Sequence, residues 1–217
     1  MESFFCNAEN IRRMPLLERN ELSEAIRFNL EKPYYLVTFH PVTLEHSTSE
    51  EQFQALLDAL DAFPEYHVII TKANADTDGR IINRLIDGYA KKRPERCLAV
   101  SSLGVHLYLS AMKHATVVLG NSSSGIIEAP SFKIPTVNIG DRQRGRIQAA
   151  GILNCSPDAN AIRQTIIRAL SPAFQENLSG VTNPFDRPGT CSNIVKVLEK
   201  TDIFGITKKP FHDVRFP

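Results

Sequence analysis

The sequence predicts an α/β fold built on a parallel sheet, and three observations lead there. From residue 34 onward, short apolar runs rich in β-branched and aromatic residues alternate with amphipathic helical stretches. The runs are apolar throughout rather than at every second position, the pattern of strands covered on both faces. Polar residues gather where the runs end, as they do at the ligand-binding rim of open α/β sheets. Together these give a Rossmann-like three-layer domain, with 3-2-1-4-5-6 as the default order for six such strands.

The elements follow in order. Tyr34 to Phe39 reads as the first, buried strand. Ser47 with Glu50, and Thr48 with Glu51, have capping-box spacing, and Phe53, Leu56, Leu57 and Leu60 then mark one face of a helix. Val68 to Thr71 is the second strand. Ile81, Ile82, Leu85, Ile86 and Tyr89 carry the next helix, which Pro94 stops. Cys97 to Val100 is the third strand, followed by a helix through Val105, Tyr108, Leu109 and Met112. Thr116 to Leu119 is the fourth, leading through a Gly/Ser turn into a short helix from about Gly125. Thr136 to Ile139 and Gly151 to Asn154 supply the fifth and sixth. Asp158 is placed to cap a helix carrying Ile162, Ile166 and Leu170. Residues 171 to 189, rich in Pro, Asn, Ser and Gly, read as a loop before a last helix at Ser192 to Lys200. Ahead of the first strand lie a basic pair, Arg12-Arg13, and a helix expected from Asn20 to Phe28. The expected organisation is an extension or linker at 1–33, a ligand-binding domain at 34–200, and a tail at 201–217.

Composition narrows the function classes. With 217 residues the chain can bury a sizeable core. Its 42% hydrophobic and 23% charged residues are those of an ordinary soluble domain. A formal net charge of +1 gives no reason to expect nucleic acid or an anionic membrane surface as a partner. No apolar run approaches the roughly 20 residues of a membrane span. Cys6, Cys97, Cys155 and Cys191 form no C-x-x-C pair, so a reduced cytoplasmic protein is expected. The histidines show no metal-ligand spacing, and no metal is expected.

Five segments deliver polar groups to one rim: His40-Pro41, Asn74 with Asp76, Ser101-Ser102, Asn121 to Gly125, and Asp141-Arg142. A Gly/Ser turn leading into a helix, GNSSSGIIE at 120–128, leaves main-chain N–H groups for an anion, and the hydroxyls of Ser122, Ser123 and Ser124 can add donors. Helix capping by one serine is the plainer alternative. Glu128 follows Ser124 by one helical turn, roughly 6 Å along the axis, about the step from a diphosphate to its ribose. A solvated surface glutamate is the alternative. Arg142 opens the basic stretch Arg142-Gln143-Arg144-Gly145-Arg146, suited to phosphate or to a plain solvated loop. His40 can bond a phosphate or pack as a neutral imidazole. Walker A and G-x-G-x-x-G patterns are absent, which counts against ATP hydrolysis and NAD binding.

Four segments, YYLVTFHPVTLE (34–45), NADTDG (74–79), GNSSSGIIEAP (120–130) and IGDRQRGR (139–146), together resemble the C-terminal domain of hydrolysing UDP-N-acetylglucosamine 2-epimerases, the enzymes that open sialic acid biosynthesis. The resemblance spans about Ile11 to Leu170. Non-hydrolysing relatives carry His-Arg-Arg-Glu where this chain has His40-Pro41-Val42-Thr43, and Asp-Ser-Gly-Gly where it has Asn121-Ser122-Ser123-Ser124; both differences favour the hydrolysing branch.

The resemblance implies the C-terminal half of a GT-B architecture, which holds UDP. By that likeness Ser122 and Ser123 meet phosphate, Glu128 the ribose and Arg142 the diphosphate end, while His40 lines the cleft and Asn74 lies near the nucleotide. The implied reaction is anti elimination of UDP to a glycal, then hydration to N-acetylmannosamine, a sequence that needs no metal or redox cofactor. Family members are considerably longer, and the carboxylates that move protons at C2 belong to their first domain. The expected partners are therefore UDP, UDP-N-acetylglucosamine, the N-terminal domain or a separate chain supplying it, and, as an open alternative, further copies in a homo-oligomer. Two other readings stay open here: a UDP-sugar binding module without catalysis, and the C-terminal half of a GT-B glycosyltransferase.

Overall fold

The computed structural model describes residues 7–42, 49–74, 77–202 and 204–205. Two helices, α1 (Asn7–Arg13) and α2 (Arg19–Ile26), precede strand β1 (Tyr34–Thr38). There follow α3 (Ser49–Asp61), β2 (His67–Thr71), α4 (Thr77–Lys92), β3 (Cys97–Val100), α5 (Gly104–His114) and β4 (Val117–Gly120). After β4 come the single-turn helix α6 (Ser124–Ile127), a 3-10 turn (Ala129–Phe132), β5 (Thr136–Ile139), β6 (Ile152–Cys155), α7 (Ala159–Leu170), α8 (Pro172–Leu178) and α9 (Thr190–Lys200).

The six strands form one sheet in the order β3-β2-β1-β4-β5-β6, every pair parallel. This is the expected Rossmann-like order. β1 sits at the centre, with Tyr35 opposite Val68 of β2 on one side and Val117 of β4 on the other. Alternate residues of β1 face opposite layers. Tyr35 and Val37 pack with Phe53, Leu56 and Leu60 of α3, Ile82 and Ile86 of α4, and Ile162 and Ile166 of α7. Tyr34 and Leu36 pack with Leu22 of α2, Ala111 and Met112 of α5, and Ala129 of the 3-10 turn. Both faces are therefore covered, which is why all five residues of β1 and of β2 are buried.

Strand limits agree with the sequence reading to within a residue. Asp158 caps α7, its side chain accepting from the Ala161 amide at 2.9 Å. The capping-box pairs that begin at Ser47 and Thr48 lie outside the described residues. One reading is overturned: 171–189 is not all loop, because α8 occupies Pro172–Leu178. Proline at the first helical position has a preset φ and no N–H to waste, so Ser171-Pro172 starts a helix rather than breaking one. Among the described residues no helix is long and apolar enough to cross a membrane.

Candidate functional site

The loop after β4 is shaped by two glycines. Gly120 has φ 129°, and a Cβ there would overlap the Thr38 carbonyl oxygen of the neighbouring strand. Gly125 lies so close to β5 that a Cβ would stand 2.8 Å from Thr136 Cγ2, while Thr136 Oγ1 donates to the Gly125 carbonyl at 2.9 Å. The serines between them are thereby fixed at the carboxyl end of the sheet, where Ser122, Ser123 and Ser124 are half-buried.

Asn121, 1% exposed, is the junction of three rim segments. Its Oδ1 accepts from the His40 amide at 2.8 Å and its Nδ2 donates to the His40 carbonyl at 2.8 Å. Its own carbonyl accepts from Gln143 Nε2 at 2.7 Å and from Arg142 Nη1 at 3.0 Å. The loops after β1, β4 and β5 are thus tied together by one buried asparagine. Partial desolvation, with the charge of Arg146 added, lowers the Arg142 pKa, but a guanidinium remains cationic at any physiological pH. Only part of its donor set is spent on Asn121, since the group carries five N–H bonds.

A chain of hydroxyls crosses the sheet ends beneath the serines. Thr71 Oγ1 lies 2.7 Å from Thr38 Oγ1, Thr38 Oγ1 3.2 Å from the Tyr108 hydroxyl, and that hydroxyl 2.7 Å from Ser124 Oγ. Ser124 Oγ donates to Ser122 Oγ at 3.0 Å. Burial, reinforced by the charge of Glu128, keeps the Tyr108 pKa above its ordinary value despite the bonds from Ser124 and Thr38, so the phenol is neutral. Glu128 is half-buried where α6 passes into the 3-10 turn, its amide donating to the Ser124 carbonyl at 2.9 Å.

Of the residues singled out from sequence, His40 and Arg142 converge on Asn121, next to Ser122 and Ser123. Glu128 stands one turn further along the same segment. Asn74 is exposed on the neighbouring rim segment, where Asn83 brackets the preceding Ala73, donating to its carbonyl at 3.1 Å and accepting from its amide at 2.9 Å. Asp76 lies outside the described residues. The basic stretch divides: Arg142 turns to Asn121, whereas Arg144 and Arg146 line a cavity of about 720 Å³ beside the ends of β5 and β6, with Asn138, Asn154 and Cys155. Burial pushes the Cys155 thiol up to about 11, so it is no ready nucleophile. A smaller recess of about 300 Å³, at the ends of β2 and β3, has Thr71, Ser102 and Tyr108 in its wall. Among the described residues no three His, Cys, Asp or Glu side chains cluster as a metal site.

Thr38, Tyr108 and Gln143 escaped sequence reasoning. Tyr108 fell on the apolar face of its helix and read as core. Gln143, 1% exposed, was hidden among arginines, where its neutrality was the one signal of a buried position.

A family model described as UDP-N-acetylglucosamine 2-epimerase matches residues 8–199. A GDP/UDP-N,N'-diacetylbacillosamine 2-epimerase (hydrolyzing) from Campylobacter jejuni is 37% identical over 205 residues, which are 94% of this chain and 53% of the relative. The polysialic acid biosynthesis protein P7 of Escherichia coli is 35% identical over 193 residues, 88% of this chain and 49% of that one. The chain thus spans about half the length of these relatives. Among solved structures, the UDP-GlcNAc 2-epimerase of Methanocaldococcus jannaschii, in complex with UDP-GlcNAc and UDP, superposes with a TM-score of 0.64 at 14% identity, over 90% of this chain and 51% of that one. At that identity the likeness is one of fold, and the domain is equivalent to one half of a GT-B architecture.

Proposed function

The chain belongs to the UDP-N-acetylglucosamine 2-epimerase family, and on that premise we propose that it is the nucleotide-holding part of a hydrolysing 2-epimerase. The observation that carries this reading is the Asn121 junction, which gathers His40, the Ser122–Ser124 turn and Arg142 at the carboxyl rim of the sheet. Open α/β sheets bind ligands at that rim. On this reading Ser122 and Ser123 donate to the diphosphate. Arg142 places its remaining N–H groups at the diphosphate end, and Glu128 accepts from the ribose hydroxyls. His40 lines the cleft, and Asn74 lies near the nucleotide.

The whole enzyme would convert UDP-N-acetylglucosamine and water to N-acetylmannosamine and UDP. The C2–H and C1–O bonds break in the elimination, and water then adds across the glycal. This chain's share is to hold the leaving UDP and stabilise the charge it gains as the C1–O bond breaks. The partner would be the remaining half of the enzyme, in the same polypeptide or in another. The name of the Campylobacter jejuni relative favours a second reading of the sugar alone, UDP-N,N'-diacetylbacillosamine, with the nucleotide contacts unchanged.

Calorimetric titration with UDP, UDP-N-acetylglucosamine and ADP tests the proposal. UDP and the UDP-sugar should bind with similar, weak affinity, and ADP less well. No measurable binding of UDP would overturn it. A UDP-sugar binding more than about tenfold tighter, about 1.4 kcal/mol, would place sugar recognition in this half as well.

A further inference from the structure

The hydroxyl chain has a direction, and the direction has a use. Each hydroxyl carries one proton and can accept as well as donate. At the last link the geometry admits Ser124 as the donor and Ser122 as the acceptor, at 3.0 Å. Ser124 has then spent its proton, so at 2.7 Å it must accept from Tyr108. Tyr108, its proton spent, must accept from Thr38, and Thr38 in turn from Thr71 at 2.7 Å. Among the described residues the competing acceptor for the Thr71 proton is the Val37 carbonyl at 3.4 Å, longer than an ordinary O–H···O bond. Every proton therefore points toward Ser122. The Ser124 amide also points at Ser122 Oγ, at 3.4 Å. Ser122 receives on its oxygen, and among the described residues none takes its own proton.

We infer that Thr38 and Tyr108 are positioning residues, which act through Ser124 to make Ser122 a dedicated hydrogen-bond donor to an acceptor-only ligand oxygen. This rests on the proposed function for the identity of that oxygen, a non-bridging oxygen of the diphosphate. A hydroxyl free to rotate can spend its proton on a neighbouring protein oxygen instead of on the ligand. Ser122 cannot spend its proton on Ser124 Oγ, which already donates to it, and successive bonds polarise one another in the donating sense. Thr38 is 8% exposed and its hydroxyl lies two links behind Ser124, so that hydroxyl reaches the ligand through the chain, while the Thr38 carbonyl separately accepts from the Asn121 amide at 3.2 Å and is untouched by a side-chain change.

The test uses Thr38→Val, which removes one hydroxyl at constant shape, and Tyr108→Phe, each titrated with UDP, inorganic pyrophosphate and uridine. Both variants should bind UDP and pyrophosphate roughly three- to tenfold more weakly, the loss of about one hydrogen bond, with uridine unchanged. In a Ser122→Ala background neither should cost anything further. A purely structural role would weaken all three ligands alike, or add to the Ser122→Ala loss, and either result overturns the inference. So does undiminished pyrophosphate binding in both variants, whatever becomes of the proposed function. If the parent chain binds pyrophosphate but neither UDP nor uridine, the UDP reading falls while the variants still test the chain on pyrophosphate. If it binds none of the three, both fall together.

Discussion

Asn121 holds the main chain of His40 at both ends, its Oδ1 accepting from the amide and its Nδ2 donating to the carbonyl, each at 2.8 Å. A side-chain amide can match a peptide group in this way because it carries one donor face and one acceptor face, as the peptide does. The strand end that presents His40 is thereby fixed to the loop that presents the serines.

Asn121→Asp keeps the shape and the acceptor but loses the donor, and sets a carboxylate oxygen against the His40 carbonyl. The expected cost is about 2–4 kcal/mol, from a lost bond and a buried charge without compensation. Protonation would restore the donor, so the variant's carboxyl pKa is raised by folding. Its protonated form is fully compatible with the fold below the ordinary carboxyl range, and the deficit grows as pH rises through the raised value. Thermal denaturation of both proteins across pH 4 to 8 measures it; a deficit independent of pH would exclude the clamp as its source.

Gly120→Ala should prevent stable folding or cost more than about 3 kcal/mol, because the added methyl overlaps main chain in the central strand rather than a movable side chain. Gly145→Ala is the control. Gly145 also has positive φ, at 82°, but nothing lies within 4 Å of its would-be Cβ. It should cost only about 1–2 kcal/mol for the left-handed backbone. Denaturant midpoints of the two variants give the comparison.

Glu128→Gln should weaken UDP binding by roughly 1.5–3 kcal/mol, the range for hydrogen bonds to a charged group. Pyrophosphate, which has no ribose, should lose little. Equal losses in calorimetry would mean that Glu128 supports its own turn and not the sugar.

The chain alone should not turn over UDP-N-acetylglucosamine. Breaking the C2–H bond needs a base within hydrogen-bond reach and a partner acid on the leaving side. His40 supplies one imidazole, held by its main chain, and one imidazole cannot serve both the elimination and the later hydration. Incubating the purified chain for hours while following N-acetylmannosamine and UDP checks this. Turnover that His40→Ala abolishes would move the chemistry into this half.

The fold was largely legible because strands covered on both faces must be apolar throughout and covering helices must carry an apolar stripe. Val68–Thr71, Cys97–Val100 and Thr136–Ile139 announce themselves in this way. Helix α8 did not, since Pro172, Asn177, Ser179 and Gly180 look like loop unless Ser171-Pro172 is recognised as a helix start. The candidate site was legible where glycines and hydroxyls cluster in one segment, as in Gly120 to Gly125. It was not legible where contact depends on tertiary approach. Nothing in Tyr108 tells an apolar helix position from one whose hydroxyl meets Thr38 of β1 and Ser124 of α6, and nothing in Gln143 reveals a bond to the Asn121 carbonyl.

The placing of β1 between β2 and β4 also bears on how the molecule is made. Tyr35 pairs with Val68 on one side, but its other neighbour is Val117, which arrives only after two more strands and their helices have been synthesised. Until then the central strand is an open edge of apolar residues, a template for other chains. Nascent chains halted before Thr116 should be aggregation-prone and rapidly degraded, and chains extended past Ile139 should resist proteolysis as the second half-sheet closes over that edge. Limited digestion of ribosome-bound chains of increasing length would show the step.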